Sequence, residues 1–159
     1  MKRETRLILW NQFEILKSLY PDDEKDYDLK QQIVAAGYSS QYENIFTSIS
    51  DEEASSQMQR EVLSTLDMFR ALDIAKRNGW TPSAPDKVKF NGFDGNNDPH
   101  YFFARYLLDA RGLFQESAPN KNSHSSVSLD KYLRMVEIWS TAVDKFDLTS
   151  AEAEAIIAA

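Results

Sequence analysis

The sequence predicts an all-α protein, a single-domain bundle of about six helices with two long ordered loops. Three observations support this fold class. Apolar residues recur every three to four positions along most of the chain, capping residues precede several of these segments, and no segment has the pattern of a convincing strand. With 159 residues, the chain is long enough for one domain with a core and too short for two large ones.

The first predicted helix runs from Glu4 to Tyr20 and ends because Pro21 cannot continue it. Its apolar face is broad, as expected for a helix that packs against a core. Gln12 falls in the middle of that face. A buried amide without a partner costs about 1–3 kcal/mol, so Gln12 is expected either to cap a neighbouring backbone group or to contact a ligand. The apolar face consists of Ile8, Leu9, Phe13, Ile15, Leu16, Leu19 and Tyr20.

Two further helices are predicted before residue 50. The acidic run over residues 22–26 suits the positive end of a second helix. Gly37 has the position of a C-terminal stop, where a left-handed residue closes the last turn. Residues 38–46 are expected to form a short third helix.

A long fourth helix is predicted to begin at a capping box formed by Ser50 and Glu53 and to reach about Asn78. Asp73 lies on its apolar face, four residues before Arg77. The spacing favours an ion pair within the helix. The apolar face of this helix consists of Met58, Val62, Leu66, Phe69 and Leu72.

Two long loops flank the most apolar helix of the chain. The first covers residues 79–98 and contains an extended piece at 88–90 that is too isolated to make a sheet. The helix over residues 99–111, capped by Asp98, is apolar on most sides, which is typical of burial against several neighbours or of an oligomer interface. The second loop covers residues 113–127. Loops of this length are uncommon in a compact domain and favour a functional role or disorder.

The last two predicted helices follow Ser128 and Thr149. Ser128 is expected to cap a helix that runs to about Phe146. Thr149 and Glu152 form a second capping box, which opens a short alanine-rich helix. The inward stripe of the first of these two helices consists of Leu129, Tyr132, Met135, Val136, Trp139, Val143 and Phe146.

Composition argues against several classes of function. The net charge of −7 repels nucleic acid, since phosphate binding needs clustered basic side chains, and the one local exception is the start of the chain, with Lys2, Arg3 and Arg6. The absence of cysteine excludes disulfides, thiolate catalysis and cysteine-bound zinc. No apolar run approaches the ~20 residues of a membrane span, and no secretory signal is recognisable. The expected compartment is the cytoplasm.

The stretch Phe90-Asn-Gly-Phe-Asp-Gly-Asn96 is the most distinctive of several segments that resemble the YfbU family of bacterial proteins. The resemblance covers nearly the whole chain, and Trp10 departs from the small polar residue expected at its position. Such a resemblance implies an all-helical cytosolic domain that self-associates. It brings no established activity, so no catalytic residue follows from it. The other matching segments span residues 6–12, 61–72, 122–124, 132–139 and 148–152.

The loop from Asp94 to Asp98 begins like a calcium-binding loop, with oxygen-bearing side chains at alternate positions. The similarity then fails, because Pro99 stands where the sixth residue should be glycine and Arg105 where the twelfth should be glutamate. Asn and Asp side chains also bond their own backbone in turns. A structural turn is therefore predicted, with a polar-ligand or ion site as the alternative.

The chain has two histidines, His100 and His124, which are too few for a three-histidine zinc site. His100 is expected to be a hydrogen-bonded structural residue in the first turn of its helix. No nucleophile-elbow, Walker or dinucleotide-binding pattern is present. No metal or cofactor is therefore predicted.

The favoured function is a protein-interaction module that self-associates as a homo-oligomer, with a second protein as a further partner and no catalytic residue. Aromatic side chains make up 12% of the chain, and several lie outside the predicted core stripes. Aromatic residues of this kind are enriched at subunit contacts. The residues concerned are Trp10, Tyr38, Tyr42 and Trp80.

The alternative is a small polar or anionic ligand-binding protein or an enzyme. In this hypothesis the loops 90–98 and 113–127 meet over the helix 99–111 and form one pocket. A carboxylate, a guanidinium and an imidazole in one cleft can bind an anion or carry out acid–base chemistry. The side chains expected to converge are Asp94, Asn96, Arg105, Asn122 and His124.

Overall fold

A computed structural model describes residues 1–118 and 128–159, and all the regular structure in these residues is helical. The all-α fold class is thereby confirmed, with seven α-helices over the described residues where about six were expected. The chain divides into two compact units, Met1–Glu53 and Ala54–Ala159. The helices are α1 (Arg3–Leu19), α2 (Glu24–Ala36), α3 (Glu43–Phe46), α4 (Ser56–Arg77), α5 (His100–Arg105), α6 (Leu129–Ser140) and α7 (Ser150–Ala158).

The first unit is built on a hairpin of α1 and α2, joined by a 3-10 turn over Pro21–Asp23. Phe13 of α1 stacks on Tyr27 of α2 with 6.3 Å between ring centroids. Gly37 ends α2 as predicted, in the left-handed conformation with φ +73°. Arg6 adds a second cap, because its Nη1 donates to the carbonyl oxygen of Val34 at 3.1 Å.

A polar seam runs between α1 and α2. The buried amide of Gln31 donates to the carbonyl oxygen of Trp10 at 3.0 Å and to Oε2 of Glu14 at 2.9 Å. Lys17 bridges Glu14 at 2.9 Å and Asp28 at 2.8 Å. The prediction that placed Gln12 on the buried face was wrong in this respect: Gln12 is exposed, and the amide that needs partners is Gln31.

The hydrophobic core of the second unit forms around α4, whose predicted stripe is buried at Val62, Leu66, Phe69 and Leu72. Helices α5, α6 and α7 pack around it. Four aromatic rings meet at its centre, with neighbouring ring centroids 5.1–5.7 Å apart and mostly edge-to-face, an arrangement that aromatic quadrupoles favour. These rings belong to Phe69, Phe90, Phe93 and Tyr132.

The start of the fourth helix differs from the prediction. Helix α4 begins at Ser56, and Ser55 caps it by accepting a hydrogen bond from the Met58 N–H at 3.3 Å. Residues 50–53 are irregular, so the capping-box pattern there does not open a helix. More than one serine in this region has the local pattern of a helix cap. Which serine caps the helix depends on where the buried apolar residues of α4 begin.

Three later boundaries also differ. The piece over 88–90 is not extended throughout, since Pro85–Val88 forms a 3-10 turn. The helix expected over 99–111 is regular only as α5 and continues as a π-helical turn over Tyr106–Ala110 before Gly112 ends it at φ +62°. Helix α6 stops at Ser140 instead of Phe146.

The early end of α6 has a local cause. The indole N–H of Trp139 donates to the carbonyl oxygen of Lys145 at 2.8 Å and folds the chain back on itself. Asp144 then accepts the N–H of Phe146 at 2.9 Å, as aspartate does in turns. Val143, expected in the inward stripe, is 99% exposed as a result.

Candidate functional site

The Asp94 loop is a self-contained turn in the second unit. The buried Asp94 carboxylate accepts the Asn96 N–H at 2.9 Å and the Asn97 side-chain amide at 2.7 Å. These bonds, that of the Asn97 side chain first, hold the pKa of Asp94 below its ordinary value. The Asp98 N–H closes the loop on the Asp94 carbonyl oxygen at 2.8 Å. The geometry is that of an Asx turn, the structural role that the sequence favoured.

Two bonds fix this loop to the region around α6. The Ser128 hydroxyl donates to the carbonyl oxygen of Gly92 at 2.7 Å, and the Asn91 N–H donates to the phenolic oxygen of Tyr132 at 3.0 Å. Ser128 makes no side-chain cap of α6, in contrast to the prediction. Its buried hydroxyl instead donates to a loop carbonyl. Leaving that carbonyl without a partner would cost more free energy than losing a helix cap, whose place water can take.

The structure describes only some of the side chains expected to share a pocket. It brings Asp94 and Asn96 together through the turn. Arg105 is 61% exposed and lies 3.8 Å from Asp109 in an ion pair. It borders an open groove of about 430 Å³ with Phe102 and Tyr106. Asn122 and His124 lie outside the described residues, so the convergence of the five side chains stays a prediction.

A Glu–His pair lies beside this loop. His100 is buried, and its Nε2 is 2.6 Å from Oε2 of Glu61, in the first half of α4. The His100 bond is the largest of the causes that lower the pKa of Glu61. The imidazole also lies against the Phe93 ring, with centroids 5.6 Å apart. His100 is thus the hydrogen-bonded histidine that the sequence predicted, and its Nδ1 has no partner among the described residues.

Two features are absent from the described residues. They contain no group of three His, Asp or Glu side chains that can hold a metal ion. Among the same residues, no helix combines the length and the apolarity that a membrane crossing requires.

Exposed apolar side chains mark a different candidate in the first unit. Ile8, Ile15 and Leu19 are 60%, 52% and 64% exposed and share one face of α1. This face is apolar in the sequence, but it points away from the buried Phe13. We call Ile8, Ile15 and Leu19 the outer stripe of α1. Sequence periodicity detects such residues but does not show which apolar face is covered.

A second apolar feature of α1 is a cavity of about 390 Å³. Leu7 and Trp10 line it from α1, together with Val34 near the end of α2. Trp10 is the residue at which the chain departs from the expected family pattern, and it is 39% exposed here. The remaining lining residues are Arg3, Arg6 and Ala35.

Comparison with known proteins gives one consistent assignment. A family model described as the YfbU domain matches residues 1–159. A UPF0304 protein from Methanocaldococcus jannaschii is 33% identical over 162 residues, covering 92% of this chain and 92% of the relative. UPF0304 proteins from Histophilus somni and Pasteurella multocida are each 28% identical and cover 99% of this chain and 98% of their own length. The chain belongs to the YfbU family.

Proposed function

We propose that this protein is a cytoplasmic, self-associating helical interaction module, and that two copies pair through the outer stripe of α1. The observation that carries the proposal is the exposure of Ile8, Ile15 and Leu19, each more than half exposed on one helix face. Large exposed apolar patches on soluble domains commonly mark interaction sites. The occupant that we assign to this stripe is a second copy of the same chain.

The first unit needs further burial because it has little core of its own. Among its residues only Phe13 and Val34 are buried hydrophobics, whereas the buried cluster around α4 belongs to the second unit. A helical hairpin with so few buried side chains is marginal by itself. Covering the outer stripe stabilises the paired state by about 25 cal/mol for each Å² of apolar surface removed from water.

The spacing of the outer stripe suits the pairing of two helices. Ile8, Ile15 and Leu19, with Gln12 between them, follow the four-then-three pattern of the two inward positions of a heptad. Two helices meet along such a seam at a shallow angle. A single polar residue in the seam fixes register at some cost in stability. Gln12, exposed in this chain, has that position.

Charge favours an antiparallel arrangement. Residues 1–6 carry three basic side chains and one acidic one, whereas residues 22–26 carry four acidic side chains and one basic one. An antiparallel pair places the start of α1 in one copy beside the end of α1 in the other, so that opposite charges meet twice. Such an arrangement is two-fold symmetric and self-complementary, as in most homodimers.

Sedimentation velocity on the full chain tests the proposal. We expect a dimer at micromolar concentration, and we expect Ile15→Glu to weaken it at least tenfold by burying a charge in the seam. Val143→Glu is the matched control, because Val143 is an exposed apolar residue in the second unit. A wild-type monomer throughout the micromolar range, or a dimer unaffected by Ile15→Glu, would contradict the proposal.

Charge reversal tests the orientation. Asp22→Lys with Asp23→Lys should weaken the dimer at low salt, since it places like charges opposite Lys2 and Arg3. Adding Lys2→Glu and Arg3→Glu to the same chain should restore the dimer, because each copy then again presents opposite charges. A parallel pair predicts no such rescue.

A further inference from the structure

The cavity beside Trp10 lies on the flank of the α1–α2 hairpin that faces away from the outer stripe. Its volume is about 390 Å³, and we call it the Trp10 cavity. Successive residues of a helix are rotated by about 100°, so the residues of α1 that line the cavity lie almost opposite Ile8, Ile15 and Leu19. A second copy seated on the outer stripe would therefore leave the Trp10 cavity uncovered.

The wall of the Trp10 cavity is mainly apolar. Leu7 and Trp10 line it from α1 and are both exposed. Val34 and Ala35, near the end of α2, close the other side. Sites for small molecules have this composition, with walls that are mostly apolar and a few polar groups that fix the orientation of the ligand.

The polar groups at the Trp10 cavity are cationic. Arg3 and Arg6 line it, one turn apart on α1, and none of its lining residues is acidic. The Arg3 guanidinium has no ion pair or hydrogen bond with any described residue. The next acidic residue along this flank of α1, Glu14, is bound by Lys17 and by the Gln31 amide. In a chain of net charge −7, the cavity thus combines an apolar wall with cationic charge that has no acidic partner among the described residues.

Arg6 is held in a fixed orientation at the edge of this cavity. Its Nη1 donates to the carbonyl oxygens of Val34 at 3.1 Å and Ala35 at 3.4 Å. The guanidinium also lies so close to Gly37 that a Cβ at that position would be 2.5 Å from Nη1. These contacts leave Nε and Nη2 without a partner in the described part of the chain. A guanidinium that is ordered before binding loses less conformational entropy when a ligand arrives.

We propose that the Trp10 cavity binds a small organic anion that has an apolar body. Its two arginines bind the anionic group, and Leu7 and Trp10 contact the body. Guanidinium groups suit carboxylate and phosphate oxygens, because their N–H groups form parallel pairs of hydrogen bonds. The apolar body is required, since ion pairs at an exposed site contribute little affinity in water. The volume lies near the lower end for small-molecule sites, which favours a single ring or a short alkyl chain. This proposal does not rest on the pairing of two copies through α1.

Calorimetric titration of the full chain with matched ligands tests the proposal. Phenylpropionate carries a ring and a carboxylate, phenylpropionamide has the same ring without the charge, and acetate has the charge without the ring. We expect saturable binding of phenylpropionate at one site per chain, at least tenfold tighter than binding of the amide or of acetate. Phenyl phosphate in a parallel titration identifies the head group. Tighter binding of phenyl phosphate indicates a phosphate and tighter binding of phenylpropionate a carboxylate, and either supports the proposal.

Arg3→Gln is the decisive variant, because the Arg3 side chain is exposed and its loss should leave the fold intact. It should weaken binding of the tighter anion about tenfold, the usual worth of one hydrogen bond to a charged group, and leave binding of the amide unchanged. The matched control Arg111→Gln removes an exposed arginine that does not line the cavity and should bind normally. Ile15→Glu, which disrupts the proposed pairing, should also bind normally, so failure of one proposal is distinguishable from failure of the other.

Tryptophan fluorescence locates the ligand. Trp80 and Trp139 are buried, whereas Trp10 is partly exposed, so an apolar group in the cavity should move the Trp10 emission to shorter wavelength. Trp10→Phe keeps an aromatic wall and should abolish this shift. The proposal is overturned if neither phenylpropionate nor phenyl phosphate binds up to about 10 mM. It is equally overturned if the amide or acetate binds as tightly as the anion with a ring, if Arg3→Gln binds like the wild type, or if the shift persists in Trp10→Phe.

Discussion

At the scale of single residues, the second unit is held by polar bonds between positions far apart in sequence. Glu61 and His100 are separated by 39 residues, and Ser128 and Gly92 by 36. Each bond joins a helix or its flanking residue to a loop or to another helix. Removing one partner leaves the other buried and unsatisfied, which costs more than the bond itself contributes.

Glu61→Gln tests the first of these bonds. The variant keeps the shape of the side chain but replaces a charge-assisted bond by a neutral one, so the free energy of unfolding should fall by about 1–2 kcal/mol. Urea unfolding at pH 7 measures the loss. Glu137→Gln is the control, because Glu137 lies exposed on α6.

The Glu61–His100 pair should also make the destabilisation caused by Glu61→Gln depend on pH. The pKa of Glu61 is lowered in the folded state, above all by the His100 bond. A carboxyl with a lowered folded pKa contributes stability above its unfolded pKa, and this stability is lost as pH falls through the folded value. The difference in the free energy of unfolding between wild type and Glu61→Gln should therefore become smaller as pH falls below about 4. A difference that stays constant from neutral pH to pH 3 would show that the carboxylate charge is not involved.

At the scale of elements, the two capping-box patterns have different outcomes. Thr149 and Glu152 form a complete box, in which the Thr149 hydroxyl accepts the Glu152 N–H and the Glu152 carboxylate accepts the Thr149 N–H at 2.9 Å. The Glu152 carboxylate also accepts the Val143 N–H at 3.3 Å, so it ties the turn after α6 to the start of α7. Ser50 and Glu53 have the same spacing of a hydroxyl residue and a glutamate, but they lie in an irregular part of the chain.

Thr149→Ala should destabilise the protein by about 1 kcal/mol, the usual worth of an N-cap. The effect should be concentrated in α7, whose Ile156 and Ile157 are buried in the core. Thermal unfolding gives the overall loss, and amide hydrogen exchange locates it. Ser150→Ala, one residue along and exposed, should change neither measurement. Equal losses for the two variants would mean that the box does not stabilise α7.

These elements also show what the sequence can predict. The buried stripe of α4 and the glycine stop of α2 follow from periodicity and backbone conformation, which are local properties. The partner of His100 and the outward orientation of Ile15 depend on contacts between distant residues, for which the sequence has no local pattern.

At the scale of the whole molecule, hydrophobic burial is divided unequally. The buried cluster around α4, which extends from Val62 to Ile157, lies entirely within residues 54–159. Residues 1–53 contain two buried hydrophobic side chains and the outer stripe. The second unit therefore has a core of its own, whereas the first contains few buried apolar side chains, and we expect its stability to depend on additional burial.

Separate fragments should reveal this division. Residues 54–159 should unfold cooperatively, with a free energy of about 5 kcal/mol or more, because their core is self-contained. This fragment should also be monomeric, since it lacks the outer stripe through which we propose that copies pair. Residues 1–53 should show helical circular dichroism only at concentrations at which they associate, because an isolated hairpin buries too little apolar surface. Urea unfolding followed by circular dichroism, with sedimentation of each fragment, measures both properties. A dimeric 54–159 fragment would move the interface away from α1, and a 54–159 fragment without a cooperative transition would show that its core needs residues 1–53.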